Sequence, residues 1–271
     1  MKRRWTFRAY PTEPQAEQLA KTFDCCRLVY NGMLAARTAA FHRGDRLTYA
    51  GTSAKLTVLK KDPDLAFLND VSCVPLQQSL RHLQTAFVNF FAKRSAYPTF
   101  KKKHKTRDSA EYTRSGFRFD ITHQRLTLAK LGVLDLRISR HVDIEPTTVT
   151  VTRHPSGRYY VSMVLEIAAP TITRVKTGQS IGIDFGVTRL AALSNGECIP
   201  NPKHLLRRTA LLARAQRRLS RKEIGSNRRL TQVRRVARLH EKIADARRDA
   251  LHKLSTSLVQ RFDHIYLEDL H

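Results

Sequence analysis

Long apolar runs, paired cysteines and acidic residues are all scarce in this sequence. It has no stretch of about 18 consecutive apolar residues, so it offers no segment of bilayer-spanning length. Its start, "MKRRWTFRAYPTEP", has basic residues with no apolar segment after them, and we therefore expect no secretory signal. The four cysteines, Cys25, Cys26, Cys73 and Cys198, form no C-x-x-C pair. This spacing indicates neither a zinc ribbon nor a disulfide framework, and we interpret all four as buried free thiols of a cytosolic protein.

The scarcity of acids gives the chain a strongly positive charge. Its 271 residues include 49 Lys and Arg against 23 Asp and Glu, a formal net charge of +26 with a pI near 10.7. Such a balance resists compaction unless a polyanion neutralises it, which makes nucleic acid the favoured partner and an anionic membrane surface the second option. Apolar residues make up 41% of the chain, enough for a core in two domains or in one domain with a large insertion.

The first 95 residues predict a strand followed by a helical unit. Residues 1–11 alternate between apolar and polar side chains, which is typical of a strand. At "TEPQ", Thr12 can cap a helix and Gln15 follows three residues later, so we expect a helix to begin there. Residues 12–95 carry apolar side chains at helical spacing and predict three helices. The stripe of the first helix is Leu19, Phe23, Cys26, Tyr30 and Met33, the second helix covers 53–61, and the stripe of the third is Leu76, Leu80, Leu83, Phe87 and Phe90.

The middle of the chain predicts a β-domain. Between residues 116 and 167, side chains alternate with a period of two in short segments, and "HPSG" marks a turn before the last of them. Several short strands with no helix between them favour a compact β-barrel, which residues 1–11 would complete. We therefore expect a barrel of residues 1–11 and 96–170, with 12–95 as a helical insertion and 171–179 as a linker.

A basic segment, "SAYPTFKKKHKTRDS", leads into the expected barrel. Its proline interrupts regular structure, and its basic residues include Lys101, Lys102 and Lys103. A solvated loop and a phosphate-binding loop explain this run of charge equally well. The three lysines are therefore candidate nucleic-acid contacts.

Residues 180–271 predict a strand, a hairpin, two long basic helices and a final strand. The hairpin turns at Asn195-Gly196, a strong hairpin signal. The helices are expected over 203–222 and 228–262, and between residues 203 and 261 there are 18 Lys and Arg against four acids, a net charge of +14. Apolar residues at seven-residue spacing predict a seam along each helix, while the missing acids favour a nucleic-acid-facing surface over a merely solvated hairpin. The candidate contacts on these helices are Arg217, Arg218, Arg234 and Arg235.

Two carboxylates stand where the first and last strands of this domain are expected to end. Asp184 lies in the apolar stretch "SIGIDFG", and Glu268 lies at the tip of "DHIYLED". If the two strands lie side by side, both acids converge on one edge of the sheet. Two hard oxygen ligands suit Mg²⁺, which accepts one or two carboxylates and keeps several waters. The pattern predicts a metal site for phosphodiester hydrolysis, with an ordinary strand-end Asp as the less favoured alternative.

The sequence resembles the TnpB (OrfB-type) proteins of insertion sequences, relatives of type V CRISPR effectors. The resemblance spans essentially all 271 residues and rests on segments in a fixed order. These are "FRAYPTEPQAEQLAKTFDCCRLVYNGML", "LQQSLRHLQTAFVNFF" followed by "YPTFKKK", "IGIDFGV" and "DALHKLSTSLVQRFDHIYLEDL". The resemblance implies an α+β multidomain fold: a wedge-type β-barrel with a helical recognition insertion, followed by a RuvC-like nuclease domain of RNase H fold over 180–271.

The resemblance also implies partners and residue roles. The partners are a guide RNA from the transposon end and double-stranded target DNA with a short adjacent motif, in the cytoplasm of a prokaryote at the nucleoid, with no membrane. Asp184 matches the first catalytic carboxylate of the family and Glu268 the second. Tyr49, Ser53 and Gln77 fall in the stretches that approach the target-adjacent duplex in such proteins.

The sequence departs from the family pattern after Glu268. The family continues with a zinc ribbon carrying two C-x-x-C pairs and then a third catalytic Asp, whereas three residues follow Glu268 here. We therefore expect an incomplete RuvC-like domain, no zinc, weak or absent Mg²⁺ binding and deficient cleavage. The leading interpretation is a truncated TnpB-type RNA-guided DNA endonuclease. A nuclease-dead RNA-guided repressor and a stand-alone DNA-binding transposase are the alternatives.

Overall fold

The computed structural model describes residues 1–103, 107–168 and 177–268. The chain divides into two compact units, Met1–Pro170 and Thr171–His271, which we call the N-terminal unit and the C-terminal unit. Residues 171–176 of the expected linker lie outside the described residues.

The helices of the N-terminal unit follow the predicted apolar stripes. They are α1 (Glu13–His42), α2 (Tyr49–Leu59) and α3 (Cys73–Phe91), with short 3₁₀ turns at Pro63–Asn69 and Arg114–Gly116. The start of α1 is fixed as predicted, because the Thr12 backbone N–H donates to Gln15 Oε1 at 3.1 Å. The Gln15 amide also donates to the Val133 carbonyl at 2.7 Å, which ties the start of α1 to a strand. The second helix begins earlier than predicted because Thr48 Oγ1 accepts from the Gly51 backbone N–H.

The strands of the N-terminal unit form two sheets. They are β1 (Lys2–Ala9), β2 (Asp108–Thr113), β3 (Phe117–Asp120), β4 (Arg125–Leu128), β5 (Gly132–Leu134), β6 (Leu136–Arg137), β7 (Thr148–Arg153) and β8 (Tyr159–Glu166). One antiparallel sheet has the order β2-β7-β8-β1-β6 and the other the order β3-β4-β5. In the register of the larger sheet, Phe7 lies opposite Val161 and Trp5 lies opposite Met163.

The expected closed barrel is absent from the described part of the chain. There, β2 and β6 are the edges of an open five-stranded sheet, and β3–β5 pair among themselves instead of joining it. Period-two alternation predicts that strands form, but pairing between distant strands depends on tertiary contacts that alternation does not encode.

One face of the larger sheet is buried under helices. Phe7 and Val161 from the sheet belong to the same buried cluster as Leu19 of α1 and Leu80 of α3. These four side chains are at most 2% exposed. Burial of apolar area on this scale is the dominant stabilising term for the N-terminal unit.

In its described residues, 177–268, the C-terminal unit contains one four-stranded sheet and two helices. Its elements are β9 (Ser180–Phe185), β10 (Arg189–Leu193), β11 (Cys198–Pro200), α4 (Leu206–Ser220), α5 (Asn227–Arg261) and β12 (His264–Leu267). The strand order is β11-β10-β9-β12, with β12 parallel to β9 and the other pairs antiparallel. The hairpin between β10 and β11 turns where predicted, since Gly196 has φ +90° and the Asn195 side chain accepts from the Glu197 backbone N–H at 3.0 Å.

The end of α5 covers one face of this sheet. Ile181 and Ile183 of β9 are buried in one cluster with Leu258 of α5 and Phe262, the residue after it. The chain then enters β12 through Asp263, whose carboxylate accepts from the Gly178 backbone N–H at 2.7 Å. A strand, a helix and a parallel strand thus form a crossover unit that places β12 beside β9.

Candidate functional site

Asp184 and Glu268 lie at the ends of two adjacent parallel strands. In the β9–β12 ladder, His264 pairs with Ser180 and Leu267 pairs with Ile183. Continuing this register by one residue sets Glu268 opposite Asp184. Neighbouring strands are about 4.8 Å apart, and residues in register on parallel strands point to the same face. The fold therefore brings the two predicted acids together.

The two carboxylates lie on the face of the sheet that α5 leaves open. Ile181 and Ile183 point into the core, so by alternation Gly182 and Asp184 point to the opposite face. Asp184 and Glu268 are both exposed to solvent. Gly182 has no side chain to cover the acid two residues further along its strand.

The donor set of this site fits a hard divalent cation. Mg²⁺ takes one or two carboxylates and completes its octahedron with water, which two exposed acids at the ends of adjacent strands permit. Across the described ranges 1–103, 107–168 and 177–268, no group of three or more His, Cys, Asp or Glu residues is arranged to hold a metal ion. The Asp184–Glu268 pair is the metal site that the sequence predicts.

The predicted basic surface lies on the α4–α5 hairpin. The two helices are joined in their interior, where the buried Gln232 side chain donates to the Ala215 carbonyl at 2.8 Å. Arg229 donates to the Leu219 and Lys222 carbonyls at 3.0 and 2.9 Å and so closes the C-terminal end of α4. The four candidate arginines are all exposed, and none pairs with a carboxylate within the described residues: Arg217, Arg218, Arg234 and Arg235.

An ion pair that the sequence analysis did not predict joins the end of α5 to the turn between β10 and β11. Arg261, the last residue of α5, donates from Nη1 to Glu197 Oε1 at 3.2 Å and also from Nη2 to Oε2. The hydrogen bond from Arg261 holds the pKa of the Glu197 carboxyl below its ordinary value. The two residues are 64 positions apart, and sequence spacing carries no signal for such a pair.

Tyr49, Ser53 and Gln77 form a single polar cluster. The Ser53 hydroxyl lies 3.3 Å from both the amide oxygen and the amide nitrogen of Gln77, and the Tyr49 hydroxyl lies 3.5 Å from the same oxygen. Arg81 stacks its guanidinium 5.2 Å from the centre of the Tyr49 ring. The cluster joins α2 to α3 and is half-buried, so part of it faces solvent.

The three candidate lysines have different surroundings. Lys101 is half-buried with Nζ 4.0 Å from the centre of the Tyr30 ring, and burial lowers its pKa. Lys103 pairs with Asp24 at 3.0 Å, whereas Lys102 is exposed. Burial raises the pKa of Asp24, but hydrogen bonds from Lys103 and Arg27 outweigh it and hold that pKa below its ordinary value of 3.8.

The expectation of four buried thiols was wrong for two of the cysteines. Cys25 and Cys26 are 4% and 6% exposed, whereas Cys73 and Cys198 are exposed. Cys73 is the first residue of α3, and Cys198 is on the short edge strand β11, where its sulfur accepts from Arg189 at 3.0 Å. Both positions lie at element ends, which the core does not cover.

Comparison with known proteins identifies the family. Residues 159–271 match the OrfB_IS605 family, described as "Probable transposase", and residues 1–46 match the associated "Helix-turn-helix domain". A "Putative RNA-guided DNA endonuclease" of Streptomyces pristinaespiralis is 52% identical over 275 residues, which cover 100% of this chain and 67% of that protein. This chain belongs to the OrfB/IS605 (TnpB) family.

Other relatives agree with the TnpB assignment. "Putative RNA-guided DNA endonuclease InsQ" of Escherichia coli (strain K12) is 35% identical over 97% of this chain and 65% of that protein. The chain thus spans about two thirds of the length of these relatives. Its fold is similar to a chain in the "Cryo-EM structure of the Cas12f1-sgRNA-target DNA complex", with a TM-score of 0.54 and 11% identity over 100% of this chain and 81% of that chain. At that identity the likeness concerns the fold alone.

In this TnpB-family chain, the segment that matches the helix-turn-helix family does not fold as two short helices joined by a turn. Residues 1–46 form β1 and a single helix of 30 residues, Glu13–His42, instead of two short helices. Within the described residues, no helix is both long enough and apolar enough to cross a bilayer. The exposed arginines of α4 and α5 are the candidate contacts for nucleic acid.

Proposed function

We propose that this chain acts in RNA-guided DNA binding and metal-dependent DNA cleavage of the TnpB type. The observation that supports the proposal is the parallel register of β9 and β12, which ends with Leu267 opposite Ile183, in a family whose relatives are named RNA-guided DNA endonucleases. One more residue along this register would bring Glu268 beside Asp184. In this proposal, residues 1–11 and 96–170 act as a wedge-type domain, 12–95 as a recognition insertion and 180–271 as a RuvC-like nuclease domain. The working environment is the prokaryotic cytoplasm at the nucleoid.

The chemistry assigned to the nuclease site is phosphodiester hydrolysis. Mg²⁺ supplies Lewis-acid stabilisation of the oxygens of the scissile phosphate when it is bound. Asp184 and Glu268 would hold the ion, because they lie at the ends of two adjacent parallel strands and on the same face of the sheet. The open face beside Gly182 leaves access for the substrate.

The nucleic-acid surfaces divide the recognition task. The exposed arginines of α4 and α5 neutralise backbone phosphates, a contact that is strong but independent of sequence. Sequence choice is delegated to base pairing by a bound guide RNA. Tyr49, Ser53 and Gln77 offer hydroxyl and amide groups from one cluster, and we assign them to the duplex beside the target.

The first test is whether the purified chain carries RNA. We expect a structured RNA in extracts of the purified protein, together with a high ratio of absorbance at nucleic-acid to protein wavelengths that falls after ribonuclease treatment. A preparation without extractable RNA would contradict RNA guidance and would favour plain DNA binding.

The second test is cleavage of target DNA by the 271-residue polypeptide with guide RNA and Mg²⁺. The described residues contribute two acids to the metal site, and a two-ion clamp on the phosphate needs further ligands. We therefore expect guided binding with slow cutting compared with a longer relative. Asp184→Ala and Glu268→Ala should remove any residual cutting, whereas Glu223→Ala, an exposed acid in the turn between α4 and α5, should not.

The cleavage test also separates the alternative functions. Guided binding without any cutting would favour a nuclease-dead repressor, which the two-acid site also fits. Binding to DNA ends in the absence of RNA would favour the stand-alone transposase that the family description "Probable transposase" names. Fast guide-dependent cutting that either alanine substitution abolishes would show that two acids suffice.

A further inference from the structure

An aromatic groove of about 620 Å³ lies between the second half of α3, the end of α1 and the start of α2. Phe41 and Phe91 are 76% and 74% exposed on its walls, and Tyr97 is 42% exposed. Phe90 and Tyr97 meet edge to face with ring centres 5.2 Å apart, and Phe87 meets Tyr97 at 5.6 Å. Large exposed rings gathered in one concave patch indicate a binding site rather than ordinary surface.

The charge around the groove selects the class of occupant. The two chain segments that line it, residues 37–49 and 84–97, contain five Lys and Arg against one acid, Asp45. That acid already lies 3.4 Å from Arg43. A ligand that stacks on aromatic rings and carries negative charge satisfies both features, and a nucleotide has this combination of a flat base and a phosphate.

A polar side chain that lines the groove, Gln84, has hydrogen-bond donors available. Arg37 donates to Gln84 Oε1 at 2.6 Å and to the Leu47 carbonyl at 2.9 Å, and its guanidinium lies 4.7 Å from the centre of the Phe87 ring. Because a guanidinium has no acceptor, this contact fixes which end of the Gln84 amide faces Arg37. The Gln84 Nε2 group has no partner among the described residues, so its N–H donors are available to a carbonyl on the edge of a base.

The groove adjoins the cluster that we assign to the target-adjacent duplex. Tyr49 lines the groove, and its hydroxyl lies 3.5 Å from Gln77 in the Tyr49–Ser53–Gln77 cluster. We propose that this groove binds one unpaired base of the DNA strand at the point where the duplex opens, by stacking on Phe41, Phe91 and Tyr97. The proposal rests on the proposed function for its choice of DNA, and it adds a base-binding site that would stabilise strand separation.

The test uses forked DNA with 5-iododeoxyuridine, which forms photo-crosslinks with aromatic rings that it contacts. The halogenated base is placed either at the first unpaired position of the fork or one step inside the duplex. We expect crosslinks to peptides containing Phe41, Phe91 or Tyr97 from the unpaired position only. The double substitution Phe41→Leu/Phe91→Leu keeps the groove apolar but removes two π-faces, and it should weaken binding of the fork about tenfold without weakening binding of blunt duplex.

Matched variants and alternative probes make the result decisive. Phe41→Tyr/Phe91→Tyr should retain fork binding, and Phe100→Leu, which alters a 54% exposed ring outside the groove, should have no effect. Equal crosslinking from paired and unpaired positions, or unchanged fork binding by the double leucine variant, would overturn the proposal. Crosslinks from the groove to an RNA tail alone would also overturn the proposal. The same holds if sedimentation shows a dimer of the wild-type chain that the double leucine variant no longer forms.

This test separates failure of the inference from failure of the proposed function. The fork needs no guide RNA, whereas the proposed function depends on bound RNA and on guided recognition. Bound RNA with guided target binding but no fork-specific crosslink would overturn the base site alone. A fork-specific crosslink in a chain that carries no RNA would support the base site and overturn RNA guidance.

Discussion

The two units of the chain differ in the size of their buried apolar clusters. In the N-terminal unit, a sheet and helices share one large buried cluster that runs from Phe7 to Leu165. The corresponding cluster of the C-terminal unit has six buried residues in the part that the structure describes: Ile181, Ile183, Ala191, Leu193, Leu258 and Phe262. Helix α5 is 35 residues long but buries only Gln232, Ile243 and Leu258 among its own residues. Most of α5 is therefore a surface rather than part of a core.

Positive charge is concentrated in the C-terminal unit, which has the smaller buried cluster. Residues 203–261 carry a net charge of +14 out of the +26 of the whole chain. Like charges on one helical hairpin repel each other and destabilise it unless a polyanion lies against them. A ligand that binds the folded state alone also raises its stability by mass action. The N-terminal unit is thus stabilised mainly by its own interior, and we predict that the C-terminal unit gains more of its stability from the proposed nucleic-acid ligand.

The largest expected effect concerns the basic surface of the C-terminal unit. If about 6–10 phosphates are neutralised, affinity for nucleic acid should fall by about 10³–10⁵-fold between 50 and 200 mM salt. Replacing Arg217, Arg218, Arg234 and Arg235 by Gln should flatten this dependence, because each lost phosphate contact reduces the slope of log affinity against log salt by about 0.9. The measurement is a titration by fluorescence anisotropy at several salt concentrations.

A control in the N-terminal unit sharpens this prediction. Lys2→Gln removes an exposed charge that is already paired with Glu166 and should leave the slope nearly unchanged. Equal losses from this substitution and from the arginine substitutions would show that the charge acts through the whole chain rather than through the hairpin.

The second effect is the reactivity of thiols in the two units. Burial raises the pKa of Cys26 to about 11, so at neutral pH its thiolate is roughly a hundredfold scarcer than that of an ordinary thiol. Cys198 of the C-terminal unit is exposed. Iodoacetamide should therefore label Cys198 at least about a hundredfold faster than Cys26, as followed by mass spectrometry of peptides.

Denaturation provides the control for the thiol comparison. In urea, both cysteines should react at similar rates, since burial no longer separates them. Rapid labelling of Cys26 under native conditions would mean that the interior of the N-terminal unit opens easily, contrary to the comparison.

The third effect is the loss of stability when a cavity is made in the core of each unit. Leu80 is 1% exposed in the N-terminal unit, and Leu80→Ala should lower the free energy of unfolding by about 3 kcal/mol. Leu258 is 6% exposed in the smaller core of the C-terminal unit, and Leu258→Ala should lower it by about 2 kcal/mol. The single tryptophan, Trp5, is in the N-terminal unit, so its fluorescence reports unfolding of that unit. In urea titrations, Leu80→Ala should shift the fluorescence transition and Leu258→Ala should not. A common shift would mean that the units unfold as one.

The sequence predicted local features better than distant pairings. The strand near residue 5, the start of α1 and the turn at Asn195-Gly196 depend on short-range patterns, and the structure has all three. The parallel pairing of β9 and β12 was also predictable, because a crossover connection returns its second strand parallel to the first. In the described residues the strands of the N-terminal unit form two sheets instead of a barrel, since pairing partners far apart in the chain are chosen by packing.

The aromatic groove could not be predicted from periodicity. Phe41 and Phe91 lie at the ends of their helices, outside the apolar stripes, and Tyr97 lies in a loop. The sequence placed Phe90 on a core stripe, yet it is half-buried on the groove wall. Whether an aromatic residue at a helix end is buried or exposed depends on what packs above it, which only the tertiary structure reveals.

The smallest expected effect is a pH dependence within the N-terminal unit. His82 of α3 and Glu111 of β2 lie 3.1 Å apart, and the Glu111 side chain is 27% exposed. The hydrogen bond from His82 is the main cause that holds the pKa of Glu111 below 4.5. A carboxyl whose pKa is lower in the folded state stabilises the fold above its unfolded pKa, and this contribution disappears as the pH falls through the folded value.

Glu111→Gln should therefore cost on the order of 0.5 kcal/mol near pH 6, and the cost should shrink towards zero below pH 4.5. Urea titrations of both proteins at several pH values, followed through Trp5, measure this difference. Glu17→Gln, at an exposed position of α1 with no partner among the described residues, should show no such trend. A cost that grows as the pH falls would contradict the assigned direction of the Glu111 pKa. A cost several times larger would mean that the link between α3 and β2 stabilises the core more than a half-exposed pair can, because solvent screens such pairs.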